Sequence, residues 1–398
     1  MRILVHDYSG HPFQLELSRW LAERGHQTLH LYSAGVPTPQ GGVLHRAGDA
    51  PGFAVEPVGP ATPLAKYDLP RRFRQEHAYG RALAERARRF APEAVLSGNC
   101  SPQIQRPLQR YCRRRGARFL YWLQDLYAEA GVRVLARRSH RLAGLAAPLL
   151  RRFEAESLRR SDAVIAITAD FRPLLEARGV RPERIAVIEN WAPLRELAPV
   201  DRRNAWSGEQ GLDERFVLLY AGTLGVKHNP EMLAALARAF RDDPAVRVVV
   251  VSEGLGRDHL EQAKAAEGLA GLELLDWQPY ERLPEVLGSA DLLLAILEPE
   301  AGVFAVPSKV LTSLCTARPI LAAIPPENLA ARLLLEAGGG LCVAPGNTAG
   351  FLAAARRLRR DAPLRAELAA AGRAYAERTF DIERIGPRFL ALLEGRSA

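Results

Sequence analysis

Lysine is almost missing from this 398-residue chain: Lys66, Lys227, Lys264 and Lys309 stand against 54 basic residues in all, the rest being arginine. A position that keeps lysine in such company points to a need for a compact, flexible ammonium. Long apolar runs are missing as well. The longest clean one, ADLLLAIL at 290–297, is far short of the ~20 residues that cross a bilayer, so no membrane-spanning helix is expected. The four cysteines (Cys100, Cys112, Cys315, Cys342) form no CxxC pair and no zinc-ligand spacing, which leaves reduced, buried thiols. There is no secretory apolar stretch at the N-terminus either, because His6 and Asp7 interrupt MRILVHDY, which reads as a first strand. A cytoplasmic protein is expected.

What is present is the balance of a globular protein, with 48% apolar and 25% charged residues, and this excludes a disordered tail or a fibre. The charge is lopsided. Residues 1–200 carry 31 basic against 19 acidic side chains, whereas 201–398 carry 23 against 26. The basic half therefore favours an anionic partner. Nucleic acid is not expected, since no aromatic-basic stripe or known module accompanies the charge.

Apolar runs rich in β-branched residues alternate with helical periodicity, the pattern of parallel βαβ units. Strands are expected at 2–8, 28–33, 94–98, 118–125, 163–168 and 185–190, and again at 216–222, 246–252, 272–276, 290–297, 319–324 and 341–344. Six and six is a duplicated plan of two doubly wound α/β domains, 1–200 and 201–378, with a polar joint near 192–215. A last helix at 379–398 packs on either domain. Ligands of such sheets sit beyond the carboxyl ends of the strands, so two domains facing across a cleft would share one site there.

The loops after the strands hold the candidates. AGTLGVKHNPE (221–231) runs from a strand through Gly222 and Thr223, past Lys227, into a helix capped by Asn229, which suits phosphate. In VPSKVLTSLC (306–315), Pro307 and Ser308 open a helix whose first turn contains Lys309, a cation that opposes the helix dipole unless an anion is bound. SEGLG (252–256) offers Glu253 and Gly254 at a strand end, and DWQPYERL (276–283) presents Gln278, Tyr280 and Leu283 where a nucleobase edge could be read. In the first half, Gly10 and His11 follow strand 1 and Asp125 follows strand 118–125. On spacing alone Asp125 is either a helix cap or a catalytic carboxylate.

Taken together, RGH (24–26), LQD (123–125), SDAVIAIT (161–168), IENW (188–191), YAGTLGVKH (220–228), WQPYERLPEVLGSAD (277–291), PSK (307–309) and ARPI (317–320) resemble glycosyltransferase family 4, near the bacterial exopolysaccharide and colanic-acid enzymes. The resemblance implies the GT-B fold of two Rossmann-like domains and retaining transfer of a sugar from a nucleotide-sugar donor, a UDP-sugar. The donor would be a substrate, with no cofactor and no metal ion, and no DxD motif is present. Lys227 and Lys309 would hold the diphosphate with Ser308 and the adjoining helix N-terminus. Gly254 would let the chain approach the donor, Gln278 and Tyr280 would border the base, and Asp125 would assist deprotonation of the acceptor hydroxyl. The loop at Gly10 and His11 would close over the transferring sugar.

The acceptor would be a saccharide or a polyprenyl-diphosphate-linked sugar. The stretch 137–160, with arginine pairs alternating with an apolar face, suits a peripheral enzyme on an anionic membrane surface, at the inner face of the cell membrane. Three features depart from the family pattern. Its two glutamates eight positions apart are absent, Thr223 replaces an arginine, and Ala317 replaces a glycine. A catalytically silent partner protein and a GT-B sugar-nucleotide epimerase are therefore the alternatives.

Overall fold

In the computed structural model the strand–helix alternation becomes two parallel sheets, one in each of two units. The structure describes residues 1–36, 45–65, 68–98, 100–136, 139–225, 228–299 and 308–396. One unit comprises Met1–Asn190 and Ile382–Ala398, the other Trp191–Asp381. The chain thus changes unit at 190/191, ahead of the polar 192–215 stretch, and again at 381/382.

The first unit runs β1 (Arg2–Asp7), α1 (Pro12–Glu23), β2 (Gln27–Ser33), β3 (Phe53–Val58), α2 (Leu69–Phe90), β4 (Ala94–Gly98), α3 (Pro102–Arg115), β5 (Arg118–Leu123), α4 (Tyr127–Ala136), α5 (His140–Arg159), β6 (Ala163–Ala166), α6 (Phe171–Ala177) and β7 (Ile185–Val187). Its sheet order is β3-β2-β1-β4-β5-β6-β7. The central strands are continuous apolar runs because helices cover both faces: Ile3, Leu4, Val5, Val95 and Leu120 are fully buried. Strand β3 corrects the expected six. Glu56 and Pro57 break its apolar pattern, which an edge strand tolerates because one flank of its backbone needs no ladder partner.

The second unit runs α7 (Ala205–Glu209), β8 (Phe216–Ala221), α8 (Pro230–Ala239), β9 (Val246–Val251), α9 (Leu255–Glu267), β10 (Leu272–Leu275), α10 (Leu283–Gly288), β11 (Leu292–Ile296), α11 (Ser308–Cys315), β12 (Ile320–Ala323), α12 (Leu329–Ala337), β13 (Gly340–Val343), α13 (Thr348–Arg360) and α14 (Ala362–Thr379). The order β10-β9-β8-β11-β12-β13 contains all six strands expected from sequence. Its core gathers Leu218, Tyr220, Leu233, Val248, Leu294 and Phe351.

The final helix, α15 (Ile382–Leu393), belongs to the first unit. Phe389 packs on Trp122 with ring centroids 4.7 Å apart. Glu383 accepts from Trp20 Nε1 at 3.1 Å, and Arg118 Nε donates to the Leu392 carbonyl at 2.7 Å. Gly386 lies so close to Trp20 that a β-carbon there would stand 2.6 Å from the indole. Cys100, Cys112 and Cys315 are buried and unbridged, and burial pushes the Cys112 thiol up to about 12. Among the described residues no helix is long and apolar enough to cross a membrane.

Candidate functional site

Each sheet reverses its winding once, between β1 and β4 in the first unit and between β8 and β11 in the second. Loops leaving neighbouring strands in opposite directions open a crevice at that point, where ligands of open α/β sheets bind. In the second unit the residues concerned are those after β8 and those that begin α11.

Gly222 adopts φ +119°, a conformation that L side chains rarely take, and its N–H donates to the Val251 carbonyl at 2.9 Å. The loop is laced to its neighbour. Leu224 N–H donates to Glu253 O at 3.3 Å, Gly256 N–H donates to Leu224 O at 3.0 Å, and Gly254 adopts φ +110° to make that approach. Farther along, Gly225 N–H donates to His228 Nδ1 at 3.1 Å, so that nitrogen is the acceptor and any ring proton is on Nε2.

Lys309 reaches back over this loop from the first turn of α11. Its ammonium donates to the Thr223 carbonyl at 3.3 Å and lies 5.0 Å from the centre of the Tyr220 ring. No carboxylate neutralises it among the described residues, and burial lowers its pKa to about 8. A half-buried ammonium that has, among the described residues, a carbonyl and a ring beside it and no carboxylate lacks the anionic partner that would offset its desolvation. Ser308, exposed, opens the same helix.

Of the remaining sequence candidates, Glu253 is exposed and contributes its backbone carbonyl to the lacing. Gln278 is committed on both ends: Oε1 accepts from Trp206 Nε1 at 3.1 Å, and Nε2 donates to Asp276 O at 2.9 Å. Tyr280 donates its hydroxyl to Glu196 at 2.8 Å, and Leu283, half-buried, starts α10. These three follow β10, two strands from Gly222. Lys227 and Pro307 lie outside the described residues.

In the first unit, Asp7 ends β1 as a fully buried carboxylate. It accepts the backbone N–H groups of Ser9, at 3.1 Å, and of His11, and the His11 Nδ1 lies 3.1 Å from both of its oxygens. Burial alone would raise the Asp7 pKa, but the His11 charge and these hydrogen bonds override it and hold the carboxyl well below its usual range. The same exchange works in reverse on His11. Burial disfavours its cation, yet Asp7 and then Asp125 raise its pKa above the ordinary imidazole value. Gly10, at φ +71°, makes the turn that brings His11 back onto Asp7. The structure thus brings together His11 and Asp125, which the sequence offered separately, and adds Asp7.

Beside Asp125, the side-chain amides of Gln124 and Asn190 pair reciprocally at 3.2 and 2.6 Å. Beneath the loop, His6 is buried between Ser97 Oγ at 2.9 Å and Tyr79 Oη at 3.1 Å, and its desolvation lowers its pKa to about 3. It is a neutral core histidine.

Ala317 has φ +52° and lies just beyond the C-terminal end of α11, the place where a glycine commonly closes a helix. That substitution is a matter of backbone strain, at the opposite end of α11 from Lys309.

Two family models match the chain: Glycosyltransferase Family 4 over residues 13–196, and Glycosyl transferases group 1 over residues 215–361. A putative colanic acid biosynthesis glycosyl transferase, WcaI, of Escherichia coli (strain K12) is 25% identical over 313 residues, which cover 77% of this chain and 75% of WcaI. Among solved structures, Anabaena HepE in complex with UDP and glucose matches with a TM-score of 0.73 at 16% identity, over 99% of this chain and 100% of that one. Sucrose-phosphate synthase from Thermosynechococcus elongatus matches with a TM-score of 0.72 at 16% identity, over 99% and 98%. At these identities the structural likeness is one of fold.

Proposed function

The chain belongs to glycosyltransferase family 4 and has the GT-B fold, and on that footing we propose that it moves a sugar, with retention at the anomeric carbon, from a UDP-sugar to a saccharide or lipid-linked acceptor in bacterial surface-polysaccharide biosynthesis. Three things support this reading beyond the family: the colanic-acid relative, the HepE complex that contains UDP and glucose, and above all the position of Lys309. A half-buried ammonium with no carboxylate partner among the described residues, at the first turn of a helix and against a glycine loop, suits a diphosphate.

In this reading the departing diphosphate takes the electron pair of the broken bond to the anomeric carbon, and its charge is met by Lys309 and the α11 N–H groups. The chain's own charges answer that need, and no metal ion or cofactor is assigned. The acceptor oxygen forms the new bond, and Asp125 accepts or steers the proton it gives up. His11, whose cation burial disfavours but Asp7 and Asp125 favour, donates a hydrogen bond to the donor in this reading. The excess of basic residues in the first half suits an acceptor met at an anionic membrane surface, at the inner face of the cell membrane.

Calorimetric titration of UDP and UDP-glucose into the full chain tests the donor assignment. Binding is expected, weakened by about tenfold or more in Lys309→Ala, the effect of losing one charge-assisted hydrogen bond. Unchanged affinity in that variant would overturn it.

A further inference from the structure

The helix that follows Asp125 has no cap of its own. Ala130 N–H donates to the Leu126 carbonyl at 3.1 Å, which puts Leu126 at the capping position of α4, and a leucine side chain accepts no hydrogen bond. The first N–H groups of a helix have no partner within it, and here they start in a buried place, since Ala128 is 3% exposed. They are met from α5. Glu154 Oε1 accepts from the Ala128 N–H at 3.2 Å, and the Tyr127 N–H also favours its charge.

Glu154 is the one charged residue on the buried face of α5, beside Ala143, Ala147, Ala155, Ser157 and Leu158. Its second oxygen lies 3.1 Å from Nη1 of Arg178, the residue that follows α6. Arg178 Nη2 donates to Glu129, in the first turn of α4, at 3.0 Å. Arg151, on α5, completes the set with two bonds of 3.0 Å to the same carboxylate. Burial raises the Glu154 pKa against the pull of Arg178 and the two N–H groups, so the pair carries a cost of desolvation that apolar residues of like volume would avoid. For that cost, three helices are tied to one turn. The turn carries Asp125, two residues ahead of Tyr127. The charge of Asp125 acts on His11 and on the Tyr127 hydroxyl, which places its carboxylate near both.

We propose that Glu154 is a positioning residue: from α5 it caps α4, and the capped turn fixes Asp125 beside His11. A cap that served α4 alone could come from residue 126 itself. One drawn from α5 and braced from α6 fixes the turn against the rest of the unit. Glu154 acts through Asp125 and needs no contact with substrate. The proposal rests on the transferase reading for the use of that placement, though not for the placement itself.

The test follows the His11 titration by NMR in the full chain, with the signal assigned by its loss in His11→Gln. Glu154→Leu with Arg178→Met removes the cap together with the charge that would otherwise be left unpaired, an exchange of a buried ion pair for apolar groups that proteins commonly tolerate. The pair is neutral overall, so its loss changes the field at His11 little. The His11 pKa is expected to fall by at least half of the fall seen in Asp125→Asn. Adding Asp125→Asn to the double variant should then lower it little further, the non-additivity of residues that act through one another. Glu154→Gln with Arg178→Met still offers an oxygen to the two N–H groups and should titrate as Arg178→Met alone. Glu154→Asp keeps the charge but is one methylene short of the turn. A smaller fall is expected in it, and it decides the question if the leucine variant does not fold. UDP titration of the wild type reports the transferase reading separately, because a chain that binds no UDP can still hold Asp125 by Glu154. Three results would overturn the proposal. They are a wild-type His11 titration in the leucine variant, or in Glu154→Asp if only that one folds; an equal fall in the glutamine variant; and a fall of the same size with Asp125 already replaced.

Discussion

A β-carbon at Gly222 would lie 2.7 Å from Cε of Lys309. The glycine therefore serves both its own backbone conformation, φ +119°, and the path of a side chain 87 positions away. Gly222→Ala should expel the ammonium from its place over Tyr220. We expect a loss of about tenfold in UDP affinity by calorimetry, together with about 1–2 kcal/mol of destabilisation from the strained backbone. Affinity equal to wild type would show that the diphosphate is held elsewhere.

Lys309 also gives the donor site a pH dependence. Without ligand its pKa is lowered to about 8 by burial, and a bound diphosphate raises it again. Above pH 8 the free protein has lost the proton that the complex keeps, so UDP affinity should fall with pH, by at most about tenfold per unit. Lys309→Arg keeps its charge there and should abolish the decline. The unliganded unit should behave oppositely: its lysine pKa is depressed, the unfolded chain binds more protons, and stability rises between about 8 and the ordinary lysine value.

Asp7→Asn removes a buried carboxylate that accepts two backbone N–H groups and faces an imidazole. Destabilisation of about 2 kcal/mol is expected in chemical denaturation, from hydrogen bonds to a charged acceptor. The His11 titration, followed by NMR, should move down, since Asp7 is its largest source of upward shift. The sign is checkable in the wild type. The depressed Asp7 contributes stability above its ordinary pKa that disappears in acid, whereas the raised His11 contributes stability below its ordinary pKa that disappears as pH climbs through the folded value.

Ala317→Gly should relieve a non-glycine residue at φ +52°. A gain of about 1 kcal/mol is expected, seen as a rise of about 2–4 °C in the thermal transition of the second unit. Donor affinity should not change. A large gain in affinity would instead make Ala317 a determinant of the site.

Much of the fold could be read along the chain, because parallel strands buried on both faces are continuous apolar runs, as VRVVVV in β9 shows. Strand β3 escaped because Glu56 and Pro57 imitate a loop and only its position at the sheet edge permits them. Lys309 stood out by lysine's rarity and by the dipole it opposes. Its partner Gly222 was visible only as a loop glycine, since nothing local reports that a distant side chain crosses it. Asp7 was hidden for a different reason. A carboxylate at the end of an apolar strand looks like the start of solvent, and only the folded loop shows it taking the N–H groups of Ser9 and His11.

Because Phe389 covers Trp122 and Glu383 holds Trp20, the first unit is finished by a helix that leaves the ribosome only after the whole of the second unit. Until the closing helix emerges, the nascent first sheet waits with an indole-lined face open, while the later sheet already has all its strands. Synthesis order and folding order are thereby uncoupled in this chain, and a ribosome stalled before codon 382 would present chaperones with an unsealed product.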